Sequence, residues 1–336
     1  MKVDTDDFCS LGAVYLLRQV TRIAEEEECV KKNTDIECLH RMRVATRRYR
    51  AVCRYFDCCL PAGKRKKWRK AVTSLGKALG EARDLDVRIV FLKEWLEKSD
   101  QSFCRPGLKR LLLRMVQKRE RMQLDIQKRI SAFTTSSEMD EMIPVFQGII
   151  GKAHVGQSLP RDGDLVEKAK RILEELVAEI FGYDPLIGMN YNLETFHSLR
   201  KTVKNTRYFL ETLKPLDPLD RLIRHIDFMK HLQDDLGSLN DAFQWVTFLE
   251  DFLEDERART LEYYGHMANF RRIEKGICFF LEDRRRILAS ARENFTSRWK
   301  DGLVEAPLKS LLADVSELGE KAGSPEEGQK TGRDNP

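Results

Sequence analysis

The chain has no run of about 18 apolar residues, so no segment reads as a membrane-spanning helix. Alternating Val/Ile/Thr stretches bounded by turn residues are scarce, which argues against strands. Its eight cysteines, Cys9, Cys29, Cys38, Cys53, Cys58, Cys59, Cys104 and Cys278, include no CxxC pair and no zinc-framework spacing. They read most simply as free thiols in a reducing compartment, several at core positions. The opening MKVDTDDFCS lacks the basic stretch and apolar core of a secretory signal, so a cytoplasmic location is expected. What the 336 residues do hold is 34% charged residues and apolar side chains recurring at helical spacing. The fold class predicted is all α.

Acid is missing from one stretch in particular. His40 to Arg54, HRMRVATRRYRAVCR, carries six arginines and no carboxylate. On a helix, His40, Arg43, Arg47, Arg50 and Arg54 fall within an arc of about 80 degrees and make one cationic stripe. Leu39, Met42, Tyr49, Val52, Cys53 and Phe56 occupy the adjoining arc, so the stripe borders the buried face. A helix charged only for solubility would interleave Glu at i,i+4. Residues 40–70 hold twelve Lys/Arg against Asp57 alone, a balance of +11 in a chain whose total is +5. Charge gathered in this way points to a polyanionic partner.

The pattern returns once. FHSLRKTVKNTRYFLETL carries His197, Arg200, Lys204 and Arg207, each 157 positions after its counterpart. The offset extends outward, mapping Leu16, Val20 and Ile23 onto Leu173, Val177 and Ile180. It also maps Leu75, Leu79, Gly80, Asp84, Phe91 and Leu92 onto Leu232, Leu236, Gly237, Asp241, Phe248 and Leu249. A gap-free register of this length indicates an internal duplication into two similar halves and not a solenoid.

In chain order, helices are expected over 8–30 and about 36–57. A third opens at KRKKWRK, residues 64–70, presents Lys66, Lys70 and Lys77 on a cationic face and stops at Gly80. Asp84 is then placed as the N-cap of a further helix. Arg105-Pro106-Gly107 separates that helix from a long basic one ending near 132, and residues 136–163 read as a connector with a short helix at most. The second half repeats the order, with helices over 164–181, 192–213, 219–236, 240–253 and, with a break, 256–300. Half one is thus about 8–135 and half two about 164–300; from 319 a disordered tail is expected.

Two H-x-x-R-x-x-x-[RK]-x-x-R motifs, followed by LGKALGEARDLDV in one half and LQDDLGSLNDAF in the other, resemble the CHAD family, the conserved histidine α-helical domains. The resemblance covers about residues 8–300. It implies two pseudo-symmetric four-helix-bundle halves whose basic stripes face each other across a channel that binds inorganic polyphosphate, and association with polyphosphate granules; a binding module without catalysis is the leading expectation. The binding residues expected are His40, Arg43, Arg47, Arg50, Arg54, Lys66, Lys70, Lys77, His197, Arg200, Lys204 and Arg207. The chain departs from symmetry where Asn205 and Thr206 replace Arg48 and Tyr49, and where Asp227 and Asp234 replace Lys70 and Lys77. A lining richer in the first half follows. No E-x-E-x-K strand of a triphosphate tunnel enzyme is found, so the chain reads as a stand-alone module.

The chemistry agrees with the resemblance. Arginine forks donate two hydrogen bonds to phosphate oxygens, and cations three or four residues apart recur every ~5 Å along a helix, close to a phosphate repeat. A phosphate would favour the protonated form of His40 and His197. Blander readings compete: satisfied helix histidines, solvated stripes, and Trp68, Trp95, Trp245 and Phe248 as core. Asp84 and Asp241 are read as caps, with metal or catalytic roles as the alternative; His225, His231, Asp234 and Asp235 are a candidate metal group. RNA is the alternative partner, weakened by the lack of aromatic interleaving in either stripe. A metal-dependent phosphohydrolase is the second alternative, weakened by acid-free motifs. No cofactor, no metal and no membrane is expected.

Overall fold

The structure, a computed structural model, describes residues 8–154, 165–188, 193–217 and 219–316. Among them every regular element is a helix, as the apolar periodicity requires. The first helix, α1 (Phe8–Glu25), gives way to a short α2 (Glu27–Lys32). The expected single helix over 8–30 is divided at Glu26, a buried carboxylate that receives Arg41 at 2.7 Å. Asp35 caps α3 (Ile36–Cys53), accepting the Glu37 N–H at 2.8 Å. This motif helix tightens into a 3₁₀ segment, Arg54–Cys59, at Phe56.

Helix α4 (Ala62–Lys98) runs unbroken for 37 residues. Gly80 therefore does not stop it, and Asp84 is a mid-helix residue and not a cap. Arg105, Pro106 and Gly107 begin α5 (Arg105–Thr134) where they were expected to precede it. The missing N–H of proline costs nothing in a first turn. Gly107 sits where a Cβ would lie 2.2 Å from the Ile273 carbonyl oxygen, so it marks a close helix crossing.

The expected connector contains α6 (Ser137–His154), whose Met139, Met142 and Phe146 are buried. Then follow α7 (Leu165–Phe181), α8 (Asp184–Gly188), α9 (Leu193–Leu213) and α10 (Arg221–Tyr264). At 44 residues α10 passes straight through Gly237 and Asp241, so the break expected near 236–240 is absent and Asp241 is no cap either. After Gly265, which takes the left-handed conformation at φ +68°, come α11 (Ala268–Lys300) and α12 (Glu305–Ser316). The rest of the expected connector, 155–164, and the tail from 319 lie outside the described residues.

Helices α1, α3, α4 and α6 pack in a closed ring, and α7, α9, α10 and α12 pack in another. The fourth member of each ring is the helix that the sequence pattern assigned to the connector or left beyond residue 300. One apolar core runs through both, from Leu16, Tyr49, Trp68 and Phe146 to Leu173, Phe209, Leu236 and Leu311. Each such large side chain contributes about 1.5–3 kcal/mol on burial. A second core joins the far ends of α4 and α10 to α5 and α11, around Leu92, Leu111, Trp245, Leu249 and Phe280. Trp68 and Trp245 are thus core residues.

The cysteines depart from expectation. Cys9–Cys59 and Cys29–Cys38 are disulfide-bonded, with Cα separations of 5.3 and 6.0 Å. Helix packing brings together pairs that no sequence spacing announces. Cys53, Cys58, Cys104 and Cys278 are free.

Candidate functional site

The two motif helices, α3 and α9, pack against each other between the rings. Their stripes open onto a channel of about 1110 Å³. From α3 and the following turn, Arg43, Arg47, Arg50 and Arg54 line it; from α9, His197, Arg200, Lys201 and Lys204 do. Helix α4 adds Arg69 and Arg88, and α11 adds Arg284. Against these ten Arg and Lys side chains the lining sets two carboxylates, Asp84 and Asp241.

Glycines lie beside the arginines on the neighbouring helices. A Cβ on Gly80 of α4 would lie 3.7 Å from Arg43 Nε, and one on Gly237 of α10 would lie 3.7 Å from an Arg200 guanidinium nitrogen. One turn away, a Cβ on Gly76 would meet Arg50 Nη1 and Thr46 Oγ1 at 3.1 Å. Mid-helix glycine costs about 0.5–1 kcal/mol relative to alanine; at Gly80 and Gly237 a methyl would make only ordinary contact with the guanidinium, whereas at Gly76 it would press on Arg50 and Thr46. Gly80 and Gly237 are 157 residues apart, like Arg43 and Arg200, so the same contact occurs in both halves.

Few of these cations are neutralised. Arg43 meets Asp84 at 3.0 Å, Arg69 meets Asp57 at 3.5 Å and Arg284 pairs with its neighbour Asp283. Among the described residues Arg47, Arg50, Arg200 and Lys204 have no ion-pair partner, and the buried Nε atoms of Arg47 and Arg200 make no hydrogen bond. Burial depresses the Arg47 guanidinium pKa, with Arg43 and Arg207 adding to it and Tyr208 opposing. Burial, then Arg47 and Arg43, lower Arg50 in the same way. Lys204 goes furthest: burial, then Arg47, Arg200, Arg43 and Arg50, bring its ammonium down to about 7. Crowded, partly desolvated cations are costly to hold without counter-charge.

Other predicted residues are placed elsewhere. Lys66, Lys70 and Lys77 are exposed on α4 and do not line the channel. Arg207 turns away to Glu211 at 3.5 Å, a carboxylate that also takes Arg48 at 3.1 Å. Arg47, Arg48 and Arg207 all lie over the buried Tyr208 ring, 5.0–5.7 Å from its centroid. His197 lines the channel and donates from Nδ1 to Asn240 Oδ1 at 3.2 Å. His40 is half-buried behind the lining; burial, then Arg83, lower its pKa, and its Nδ1 has no partner. The candidate metal group around His225 is not gathered, since His225 bonds Asp314 at 2.5 Å and Asp235 bonds Arg298 at 2.7 Å.

Arg69, Arg88, Lys201 and Arg284 escaped the sequence pattern. Positions 69, 73, 76, 84, 87, 88 and 91 form one face of α4 along the channel. Treating Gly80 as a stop cut that face in two and hid Arg88. At this end the guanidinium of Arg88 lies 4.4 Å from the Phe248 centroid and that of Arg284 lies 5.0 Å from Phe91.

The CHAD domain family model matches residues 14–250. The crystal structure of the CHAD domain from the plant Ricinus communis superposes with a TM-score of 0.58 at 20% identity, covering 95% of each chain. PptA from Streptomyces chartreusis superposes with a TM-score of 0.57 at 14% identity, covering 88% of this chain and 100% of its own. No curated protein matches the sequence.

Proposed function

The chain belongs to the CHAD family, and from that premise we propose that it binds inorganic polyphosphate in the channel between α3 and α9, without turning it over. The observation that carries this reading is the convergence of Arg47, Arg50, Arg200 and Lys204 on one cavity with no carboxylate partner among the described residues. A linear polyanion supplies closely spaced charges that a row of arginines can meet two oxygens at a time. Arg43, Arg54 and His197 complete the row, Arg69, Arg88 and Lys201 extend it, and His40 acts from behind it. The acid-poor lining favours binding over metal-assisted hydrolysis, which needs converging carboxylates. Association with polyphosphate granules in the cytoplasm is part of the same proposal. No helix among the described residues is long and apolar enough to cross a membrane.

RNA is the competing polyanion. The test is a titration with labelled long-chain polyphosphate at ~150 mM salt, challenged with RNA at equal phosphate concentration. Polyphosphate is expected to survive a large excess of RNA; ready displacement would reassign the channel to nucleic acid. Phosphate release in the presence of Mg²⁺ or Mn²⁺ would overturn the non-catalytic part.

A further inference from the structure

Two of the cysteines that the channel leaves unused meet at the head of the motif helix. Cys29 lies on α2, Cys38 in the first turn of α3, and Asp35 caps α3 between them. One ligand atom from each of the three lies within 4.8 Å of the others. The surroundings orient them. Asp35 Oδ1 is held by the Glu37 N–H at 2.8 Å, and Oδ2 faces both Cys38 Sγ at 3.6 Å and Arg41 Nη1 at 3.7 Å. Arg41 donates to Cys38 Sγ at 3.0 Å and is itself neutralised by Glu26 at 2.7 and 2.9 Å. Contacts of this outer kind fix metal ligands in place.

We propose that, when the Cys29–Cys38 disulfide is reduced, Cys29, Cys38 and Asp35 form a binding site for a thiophilic divalent cation of the Zn²⁺ class, with water in the fourth position. Opening the site takes two electrons and two protons from a dithiol reductant, which leaves as its own disulfide; the cation then displaces both thiol protons to solvent. Tetrahedral metal–sulfur bonds of about 2.3 Å set the two sulfurs roughly 3.8 Å apart. A Cα separation of 6.0 Å allows that by side-chain rotation alone. Two thiolates with one carboxylate select Zn²⁺ over Mg²⁺ or Ca²⁺, which prefer all-oxygen shells. Metal and disulfide both tie α2 to the start of α3, two residues before His40. The motif helix is therefore clamped in either redox state, and only the reduced, metal-free chain has a loose head. The site stands apart from the channel and does not depend on what the channel binds.

Cobalt provides the probe. The reduced full chain, freed of reductant, is titrated with Co²⁺ and then Zn²⁺, beside the unreduced chain and the variants C29S, D35N and C278S. One equivalent of Co²⁺ should give thiolate charge-transfer absorption and tetrahedral visible bands that Zn²⁺ abolishes. C278S should match the reduced parent, D35N should bind roughly tenfold or more weakly, and C29S should lose the parent spectrum while its circular dichroism stays helical. The unreduced parent should bind no Co²⁺, which serves as the control free of any substitution. Absence of the thiolate band in the reduced parent overturns the proposal, and so does an unchanged spectrum in C29S.

Discussion

The two halves follow one backbone plan but hold their cations in different company. Half one sends Arg43, Arg47, Arg50, Arg54, Arg69 and Arg88 to the channel; half two with α11 sends Arg200, Lys201, Lys204 and Arg284. At the position equivalent to Arg88, 157 residues on, stands Trp245, a core residue. Arg207, the counterpart of Arg50, is drawn off by Glu211. Half one therefore supplies permanent charge, whereas half two supplies a lysine whose charge is adjustable near neutral pH. Two similarly built sets of helices thus differ in charge while keeping the same contacts at Gly80 and Gly237.

The largest expected effect is that of salt. If ~6 to 10 phosphates are engaged, affinity for long-chain polyphosphate should fall by about 10³–10⁵ between ~50 and ~200 mM salt. Arg47→Gln and Arg88→Gln should each lower the slope by about one, and Lys66→Gln should leave it unchanged. A flat response in the parent chain would end the comparison between halves.

Charge reversal comes next. Arg43→Glu, Arg47→Glu and Arg50→Glu together should weaken binding by roughly a hundredfold or more with circular dichroism unchanged, and Arg200→Glu with Lys204→Glu by roughly tenfold, as fewer phosphate contacts are reversed. Equal losses from the two sets would mean that the halves share the load.

The pH response tests half two by itself. Lys204 lies at about 7 without ligand, so above neutrality most molecules carry it uncharged. A bound polyanion raises that value, and binding above pH ~7 then takes up a proton. Affinity should fall as pH rises through ~7 to 8, by at most about tenfold per unit, and Lys204→Arg should flatten the profile. Stability runs the other way: the unfolded chain binds more protons above pH 7, so unfolding by urea should show stability increasing from ~7 upward and lost below it. His40, lowered by burial and Arg83, adds its charge only on the acid side of its ordinary range.

The smallest effect is that of the glycines. Gly80→Leu and Gly237→Leu should each reduce affinity several-fold by displacing Arg43 and Arg200, while helix propensity changes by only about 1 kcal/mol in the favourable direction. Calorimetric titration beside thermal melts would separate the two. A loss confined to Gly80→Leu would show that only half one grips the ligand through this contact.

Much of the channel was legible in the chain because its cations recur at helical spacing beside apolar residues, and period is a local property. Arg43, Arg47, Arg50, Arg200 and Lys204 were found this way. Arg88 and Arg284 were not, because Gly80 resembles a helix stop until Arg43 is seen lying over it, and Arg284 comes from a helix with no motif at all. Lys66, Lys70 and Lys77 satisfied the same periodicity and are exposed, outside the channel lining. Spacing fixes which residues share a face; it does not say which face turns inward.

By itself the sequence determined the helical class, the paired stripes and their register, since these rest on the 3.6-residue period and on a constant offset. Tertiary structure alone decided that α4 and α10 continue through their glycines, that α6 and α12 close the two rings, and that Cys29 meets Cys38. It also decided which cations go unpaired. Each of these depends on what packs opposite a residue: a guanidinium over Gly80, an apolar ring beside Phe146, a carboxylate within reach of Arg207. Such neighbours are set by helices far apart in the chain, and no local pattern records them.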